Sequence, residues 1–267
     1  MTARFLKTVL KKLGAPQVGR PDSASTLIPR MEVRRAITNT IGPMLRGQGF
    51  ESFVGGRSLR YSEQWTDVVE VQFIRATGLP GNSPSIHIGR YFNFVPEDAL
   101  SGPTPQKDGR ESPTIERCHL RKTVFKVTRQ KETASPNVWF IGSRADYLDA
   151  CVAELKVATE QEVIPWFRKL DEWDVLLDLF LSGQPDIEGK LADHVMRGTW
   201  NFGNYFSRHV VAGFIALEAG RWAIAASLLN TVLRDGGVVG KDSRVFPLPS
   251  ATVDRVREAL ESALRHK

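Results

Sequence analysis

The sequence predicts an α+β protein in which an N-terminal helix packs on an antiparallel sheet of about five strands, followed by an α-helical C-terminal half. Apolar residues recur at helical spacing through residues 31–48, and short runs of alternating apolar and polar residues occupy 50–127. Helical spacing returns after residue 143. The connections between the predicted strands are too short for helical crossovers, which favours an antiparallel meander.

The first predicted helix covers residues 31–48. Its apolar positions follow the spacing of an amphipathic helix: Val33, Ile37, Ile41, Met44 and Leu45. Pro43 should kink or shorten the last turn, because proline lacks the backbone N–H that a helix interior uses. Gly47 and Gly49 then end the helix.

The predicted strands are short runs bounded by glycine or polar turn residues: 50–54, 58–62, 67–75, 85–94 and 118–127. In the third run Val69, Val71 and Phe73 share one face, whereas Glu70 and Gln72 share the other. Residues 95–116 form a long polar insertion. Residues 138–141 form either a sixth strand or the entry to the helices.

The fourth predicted strand has an apolar inward face and a polar outward face. The inward residues are Ile86, Ile88, Phe92 and Phe94, and the outward residues are Ser85, His87, Tyr91 and Asn93. Strict alternation then puts Gly89 outward and the charged Arg90 inward, so the pattern indicates a β-bulge at this point.

The chain is helical from residue 143 onward. The first predicted helices there cover 144–170, with a break or a fresh start at Pro165, then 173–181 and 186–197. Residues 206–233 read as a helix, a tight turn and a second helix. Small side chains allow the two helices to approach closely, as in one tetratricopeptide-like helical hairpin, although no second copy follows at the roughly 34-residue period.

The last predicted helix covers residues 251–266. Ser250 is its expected N-cap, because a serine hydroxyl can accept a hydrogen bond from the free N–H groups of the first turn. Its expected inward residues are Val253, Val256, Leu260 and Leu264.

The composition is that of an ordinary globular protein, with 267 residues of which 42% are hydrophobic and 25% charged. No stretch approaches the roughly 18 uninterrupted apolar residues of a membrane span, and the N-terminus does not resemble a signal peptide, so a cytoplasmic protein is expected. Cys118 and Cys151 are the two cysteines. A single disulfide and two reduced, buried thiols both fit this count, and a cytoplasmic chain favours the thiols.

The net charge of +6 is distributed unevenly. Residues 1–60 carry 11 basic and 3 acidic side chains, whereas residues 144–193 carry 5 basic and 12 acidic ones. A basic segment of this density can bind nucleic acid or anionic lipid. Alternatively, the two regions face one another or solvate their own surfaces, which is the usual role of charge runs.

Three segments are expected along the chain. Residues 1–30 comprise a basic amphipathic helix at 4–13 and a flexible linker rich in proline, glycine and serine. That helix either contacts an anionic surface or docks on the body of the protein. Residues 31–142 form the α+β sheet domain, and residues 143–267 form a helical region packed on it.

Candidate binding residues fall into two groups. Surface candidates on the predicted sheet are Arg57, Arg60, Tyr61, Trp65, Glu70, Gln72, His87 and Tyr91. Basic N-terminal candidates are Lys7, Lys11, Lys12, Arg34 and Arg35. Arginines and aromatic residues in such positions contact phosphates and stack on bases in nucleic-acid-binding sheets, but they also form cross-strand pairs that only stabilise a sheet.

The spacing of reactive residue types predicts no catalytic residue, metal site or cofactor. The histidines lack the spacings of zinc-binding helices. Cys118 and His119 are adjacent on a strand, so their side chains point to opposite faces and cannot form a dyad. The pair Glu70 and Gln72 resembles the strand motif that holds Mg²⁺ in restriction-type nucleases, but the usual lysine and a second acidic residue are missing.

Five short motifs resemble the domain-of-unknown-function family numbered 4304. They are RGQGF at 46–50, RSLRY at 57–61, VEVQ at 69–72, SIHIG at 85–89 and CHLR at 118–121, within a region that spans residues 31–170. The chain departs from the family pattern after Gln72, where Phe73 and Ile74 replace a small polar or basic pair. The resemblance implies a bacterial α+β domain of undetermined activity, sometimes encoded near toxin-immunity or defence genes, and it supplies no catalytic residues.

These observations favour a non-enzymatic bacterial protein-binding module. It would recognise a protein partner through the sheet face or through the groove of the helical hairpin, with an immunity- or defence-associated role as the most specific version. The alternative is a nucleic-acid-binding protein that uses the basic front of the chain, with or without metal-dependent cleavage.

Overall fold

A computed structural model of the protein describes residues 27–74, 79–96, 106–107, 109–124, 138–182, 208–235, 237–239 and 245–266. It confirms the predicted α+β class, with an N-terminal helix, an antiparallel sheet and a helical C-terminal half. The predicted helix at 4–13, with Lys7, Lys11 and Lys12, and the predicted helix at 186–197 lie outside the described residues.

Helix α1 and the main sheet form the first half of the fold. The elements are α1 (Arg30–Arg46), β1 (Arg57–Tyr61), β2 (Trp65–Phe73), β3 (Pro84–Phe92), β4 (Gln106–Lys107), β5 (Arg110–Glu111), a 3₁₀ turn (Ile115–Arg117) and β6 (Leu120–Thr123). The main sheet has the antiparallel order β1-β2-β3-β6, and β4 pairs with β5 in a small hairpin inside the predicted insertion.

The sheet has four strands because two predicted segments pair only loosely with it. Within residues 50–54 the described pairing is an isolated bridge between Val54 and Arg57, together with a hydrogen bond from the Glu51 N–H to the Leu59 carbonyl at 2.7 Å. Residues 138–141 donate one bond, from Trp139 N–H to the Pro84 carbonyl, and then lead into the helices.

The predicted β-bulge in β3 is wrong. The β2–β3 register is continuous through Val68↔Gly89 and Asp67↔Arg90, so Arg90 does point inward. It is tolerated there because Asp67 lies directly opposite on the same face and binds it. Gly89 lies outward where a Cβ would be 2.7 Å from the Cβ of Cys118, so this close approach requires glycine.

The helical half begins after residue 143. Its elements are α2 (Ala145–Ala158), a π-helical turn (Thr159–Val163), α3 (Ile164–Lys169), α4 (Trp173–Ser182), α5 (Arg208–Glu218), α6 (Trp222–Asp235), β7 (Gly237–Val239), β8 (Val245–Pro247) and α7 (Ser250–Arg265). Pro165 lies in the first turn of α3, where the helical chain changes from π- to α-helical geometry without a gap, so the predicted break or fresh start appears only as this change. Helices α5 and α6 confirm the predicted hairpin. Gly213 of α5 faces Leu229 of α6 so closely that a Cβ would lie 2.5 Å from it.

The predicted inward face of α7 is partly wrong. Val256 is buried as expected, but Leu264 is 56% exposed, and the other buried residues are Thr252, Ala259 and Ala263. Small residues occupy this face because α7 packs closely against α6. Ser250 is the first helical residue rather than the N-cap, and Pro249 precedes it.

One continuous apolar core extends from α1 through the sheet to α7. A smaller cluster lies on the opposite face of the sheet and contains Leu59, Val68, Tyr91, Ile115 and Cys118. The helices of the described ranges lack the combination of length and apolar composition that a membrane crossing requires.

Candidate binding surfaces

The outer face of the sheet, on the side away from α1, is covered by residues 110–118, which we call the covering segment. Ile115 and Cys118 of this segment pack on Leu59, Val68 and Tyr91. Tyr91 is therefore only 2% exposed, and its expected position on the surface is wrong. The sequence predicts a polar outer face that is exposed to solvent. In the structure, apolar residues that are distant in the chain cover part of this face.

Glu70 and Gln72 do share the outer face, as predicted, and both bind the covering segment. The backbone N–H of Ile115 donates to Oε2 of Glu70 at 3.3 Å. Nε2 of Gln72 donates to Oε1 of Glu70 at 3.1 Å and to Oε1 of Glu116 at 2.9 Å. The two side chains thus have a structural role in attaching this segment to β2.

Arg57 and Tyr61 also contact the covering segment. Nη1 of Arg57 donates to the Pro113 carbonyl at 3.1 Å, and its Nη2 lies 3.4 Å from Oγ of Ser112. The guanidinium of Arg110 lies over the Tyr61 ring at 4.0 Å from its centroid. These contacts account for both residues as parts of the fold, since each contact fixes residues 110–113 against β1.

Arg60 and Trp65 lie on the other face of the sheet, towards the helices, where they belong to a buried ionic network. Asp67 is fully buried and accepts from Nε of Arg60 at 2.9 Å and from Nε of Arg90 at 2.7 Å. Arg90 is fully buried too and also donates to Asp171 at 2.7 Å. Its guanidinium lies 4.2 Å from the Trp65 ring centroid. We call Arg60, Asp67, Arg90 and Asp171 the Asp67 network.

The sequence contains a signal for this network in the positions of its charged residues. Arg60 and Asp67 occupy opposed positions in the β1–β2 register, and Asp67 and Arg90 occupy opposed positions in the β2–β3 register. Three charged residues at inward-facing positions of neighbouring strands are better explained by mutual pairing than by a bulge or a binding surface.

His87 lies in the same outer-face row as Glu70 and Thr123. Its Nδ1 is 3.1 Å from Oγ1 of Thr123, whereas its buried Nε2 has no hydrogen-bond partner within the described part of the chain. Burial lowers the pKa of His87 to about 4, with Glu116 acting in the opposite direction and Arg121 in the same one. The imidazole is therefore neutral at physiological pH.

The cysteines and His119 are buried in the fold. Cys118 and Cys151 are both free thiols, and burial raises the pKa of each thiol. Nδ1 of His119 accepts from the Phe92 N–H at 3.0 Å, and burial lowers the pKa of His119 to about 3. The described residues contain no group of three or more histidine, cysteine, aspartate or glutamate side chains arranged to hold a metal ion.

A groove of about 230 Å³ opens between α5 and α7, which we call the α5–α7 groove. Apolar side chains and three charged residues line it: Phe94, Phe214, Leu217, Glu218, Arg255, Glu258 and Ala259. Burial raises the pKa of Glu218, and the nearby negative charge of Glu63 adds to this effect. The hairpin is predictable from the sequence but these lining residues are not, because α5 and α7 are more than thirty residues apart in the chain.

The basic candidates Arg34 and Arg35 lie on α1. Arg35 is exposed, whereas the guanidinium of Arg34 is partly buried and lies 5.2 Å from the ring centroid of Phe73. Arg30, at the start of the same helix, lies 5.9 Å from the same ring. Two arginines therefore share one aromatic ring at the end of β2.

Comparison of the chain with protein-family models, with curated proteins and with solved structures finds no significant match. The resemblance to the family numbered 4304 is therefore neither supported nor contradicted and stays a prediction.

Proposed function

We propose that this protein is a non-enzymatic protein-binding module that holds a cationic side chain of its partner in the α5–α7 groove. One observation carries the proposal: Glu218 lines the α5–α7 groove beside apolar side chains, and no cation among the described residues contacts its carboxylate. An unpaired carboxylate beside apolar surface matches the two parts of a lysine or arginine side chain, a charged head on an aliphatic stem.

The sequence suggests the sheet face and the groove of the helical hairpin for partner binding, whereas the α5–α7 groove lies between one helix of that hairpin and α7. The sheet face is covered by residues 110–118, and its polar side chains Glu70, Gln72 and Arg57 bind that segment. The α5–α7 groove, in contrast, is lined by apolar side chains that include Phe94 and Phe214, and it is open among the described residues. Its volume of about 230 Å³ is below the range of roughly 300–1,000 Å³ that is typical of small-molecule sites, which favours a single anchoring side chain.

The charges around the groove favour a cation. Among the described residues, Glu218, Glu258 and one cation, Arg255, line the groove, and the charge of Glu63 also acts on Glu218. Arg255 lies 4.0 Å from Glu258, at the limit of an ion pair, so Glu218 is left without compensation. Burial is the main cause of the raised pKa of Glu218, and the charge of Glu63 adds to it. A bound guanidinium or ammonium would favour the ionised carboxylate, so binding should weaken as the pH falls through that raised pKa.

The experiment compares partner capture by matched variants. Cross-linking affinity purification from the native host would use the wild type, Glu218→Gln and, as the control, Glu261→Gln. Glu261 is an exposed residue of α7 outside the groove, so the control has the same change of net charge. The captured protein would then be purified and its affinity for each variant measured by titration.

We expect the Glu218→Gln variant to bind the purified partner about tenfold more weakly, since a charge-assisted contact contributes about 1.5–3 kcal/mol, and the control to bind like the wild type. Equal affinity of both variants would refute the role of the groove. Turnover of a substrate by the purified protein, with no specific partner captured, would refute the binding-module proposal as a whole.

The narrower version of the proposal is a bacterial immunity- or defence-associated role. It is supported only by the resemblance of residues 31–170 to the family numbered 4304. The identity of the neighbouring genes tests it directly, because such modules are encoded beside the toxin or defence component they serve.

Nucleic-acid binding is the second candidate function, and the charge of residues 1–60 favours it, with 11 basic and 3 acidic side chains. Binding through phosphate contacts releases counterions, so the affinity for mixed-sequence DNA or RNA should fall steeply as the salt concentration rises. A flat salt response, or no binding at low salt, would exclude this candidate.

A further inference from the structure

We infer that Arg30 and Arg34 form a second contact site, which binds the carboxylates of an acidic, partly apolar segment of a partner protein. The inference rests on the proposed protein-binding function, but it concerns a different surface from the groove.

The two guanidinium groups lie near the same aromatic ring, that of Phe73. Arg30 and Arg34 are four residues apart on α1, so they lie on the same face of the helix. The two guanidiniums lie 5.9 and 5.2 Å, respectively, from the centroid of the Phe73 ring. Like charges at this spacing weaken a helix by a few tenths of a kcal/mol, and a bound carboxylate would offset this repulsion.

Two glycines leave room for the arginine side chains to pack against the sheet and the β2–β3 connection. Nε of Arg30 donates to the carbonyl of Gly81, where a Cβ would lie 2.8 Å from Nη2. Nε of Arg34 lies against Gly56, where a Cβ would be 2.9 Å away. Gly56 also has a φ of 91°, a backbone conformation that favours glycine. The arginine stems are thus positioned in advance, which lowers the entropy cost of binding.

Neither arginine is neutralised by an acidic side chain within the described residues, although Arg30 donates to the Gly81 carbonyl. In the part of the chain that the structure describes, no carboxylate forms an ion pair with Arg30 or Arg34. Nε of Arg34 is buried without a hydrogen-bond partner, and its Nη1 has only a long contact of 4.0 Å to the sulfur of Met31. This contrasts with Arg90, whose guanidinium is satisfied by carboxylates and backbone carbonyls. The planar donors of Arg30 and Arg34 match the geometry of a carboxylate.

The surroundings favour a protein segment over a phosphate backbone. Met31, in contact with Arg34, is 62% exposed, and Val54, two residues before Gly56, is 65% exposed. Arginine, methionine and aromatic residues are the types enriched in protein–protein interfaces. A phosphodiester chain would satisfy the arginines but would leave these aliphatic side chains without apolar contacts.

Fluorescence anisotropy of the full chain with two labelled probes tests the inference. One probe is a peptide that alternates glutamate with leucine, and the other is a single-stranded oligonucleotide of equal net charge. The variant Arg30→Gln/Arg34→Gln is compared with the control Arg35→Gln/Arg46→Gln, which removes two exposed arginines from the same helix. The variant Arg30→Lys/Arg34→Lys keeps the charge but loses the planar donors, and it serves if the glutamine variant does not fold.

We expect the wild type to bind the peptide more tightly than the oligonucleotide. The glutamine variant should lose at least about tenfold in peptide affinity, the lysine variant an intermediate amount, and the control less than about twofold. Equal losses in the glutamine variant and the control would show that only net charge matters and would overturn the site. Tighter binding of the oligonucleotide, lost in the glutamine variant, would overturn the assignment to a protein segment. Neither result depends on Glu218, so a failure here is distinguishable from a failure of the groove.

Discussion

Replacing Asp67 by alanine should destabilise the protein strongly, because the change leaves a buried guanidinium without its principal counter-charge. Asp67 and Arg90 are both fully buried, and the two oxygens of Asp67 accept bonds of 2.7 and 3.1 Å from Arg90. The same carboxylate accepts a bond of 2.9 Å from Arg60, so a single substitution affects two cations.

The expected magnitude follows from burial. Removing one partner of a buried ion pair costs about 3–5 kcal/mol, since the remaining charge keeps its desolvation penalty. Arg90 would retain bonds to Asp171 and to backbone carbonyls of α3 and its C-terminal end, which places the expected loss at the lower end, about 3 kcal/mol. A domain with a total stability of roughly 5–15 kcal/mol would then remain folded but be clearly weakened.

Urea unfolding followed by tryptophan fluorescence and circular dichroism measures the effect. The control is Asp174→Ala, which removes the exposed carboxylate of a surface pair with Arg221, with side chains 70% and 52% exposed, and should cost no more than about 1 kcal/mol. A loss below about 1 kcal/mol for Asp67→Ala would refute the reasoning that the network is buried and mutually dependent. Such a result would also mean that Arg60 and Trp65 are available to bind a partner.

Two further predictions concern buried residues of the outer sheet layer. Burial lowers the pKa of His119 from 6.5 to about 3, so the unfolded chain binds a proton at a higher pH than the folded chain. The contribution of the neutral His119 to the free energy of unfolding is therefore complete above about pH 6.5 and is lost as the pH falls towards 3. The unfolding free energy of His119→Gln should therefore vary less between pH 7 and pH 4.5 than that of the wild type, and parallel slopes for the two proteins would contradict this. Gly89→Ala should cost about 1–3 kcal/mol, because its Cβ would lie 2.7 Å from that of Cys118. Adding Cys118→Gly should reduce this specific cost in a double-mutant cycle, and strictly additive losses would show that the two residues do not meet.

Local patterns were sufficient to predict most of the elements and the two faces of the central strands. Val69 and Val71 lie in the main core while Glu70 and Gln72 lie on the outer face, because pleat alternation is a property of the backbone alone. The helical hairpin of α5 and α6 was predicted for a similar reason, since small residues and a turn glycine act within one short stretch.

Whether a candidate residue is exposed or buried depends on tertiary contacts that cannot be read from the sequence. Tyr91 was expected on the surface because its strand position faces outward, but a segment more than twenty residues later covers that face. Arg60 and Trp65 were grouped with outer-face residues, although the register places Arg60 opposite Asp67 on the helix-facing side. Pairing register and the path of a long connection are decided by the whole fold, and no local spacing encodes them.

The sequence by itself thus determined the α+β class, the order of the elements and the alternation of the sheet faces. Only the tertiary structure decided which charged residues are used within the fold and which remain unpaired. Arg90 and Arg34 look alike as arginines on an amphipathic element, yet one is enclosed by carboxylates and carbonyls and the other has no carboxylate partner in the described ranges. The physical reason is that a charge is satisfied by groups within a few ångströms in space, and long-range packing brings those groups together.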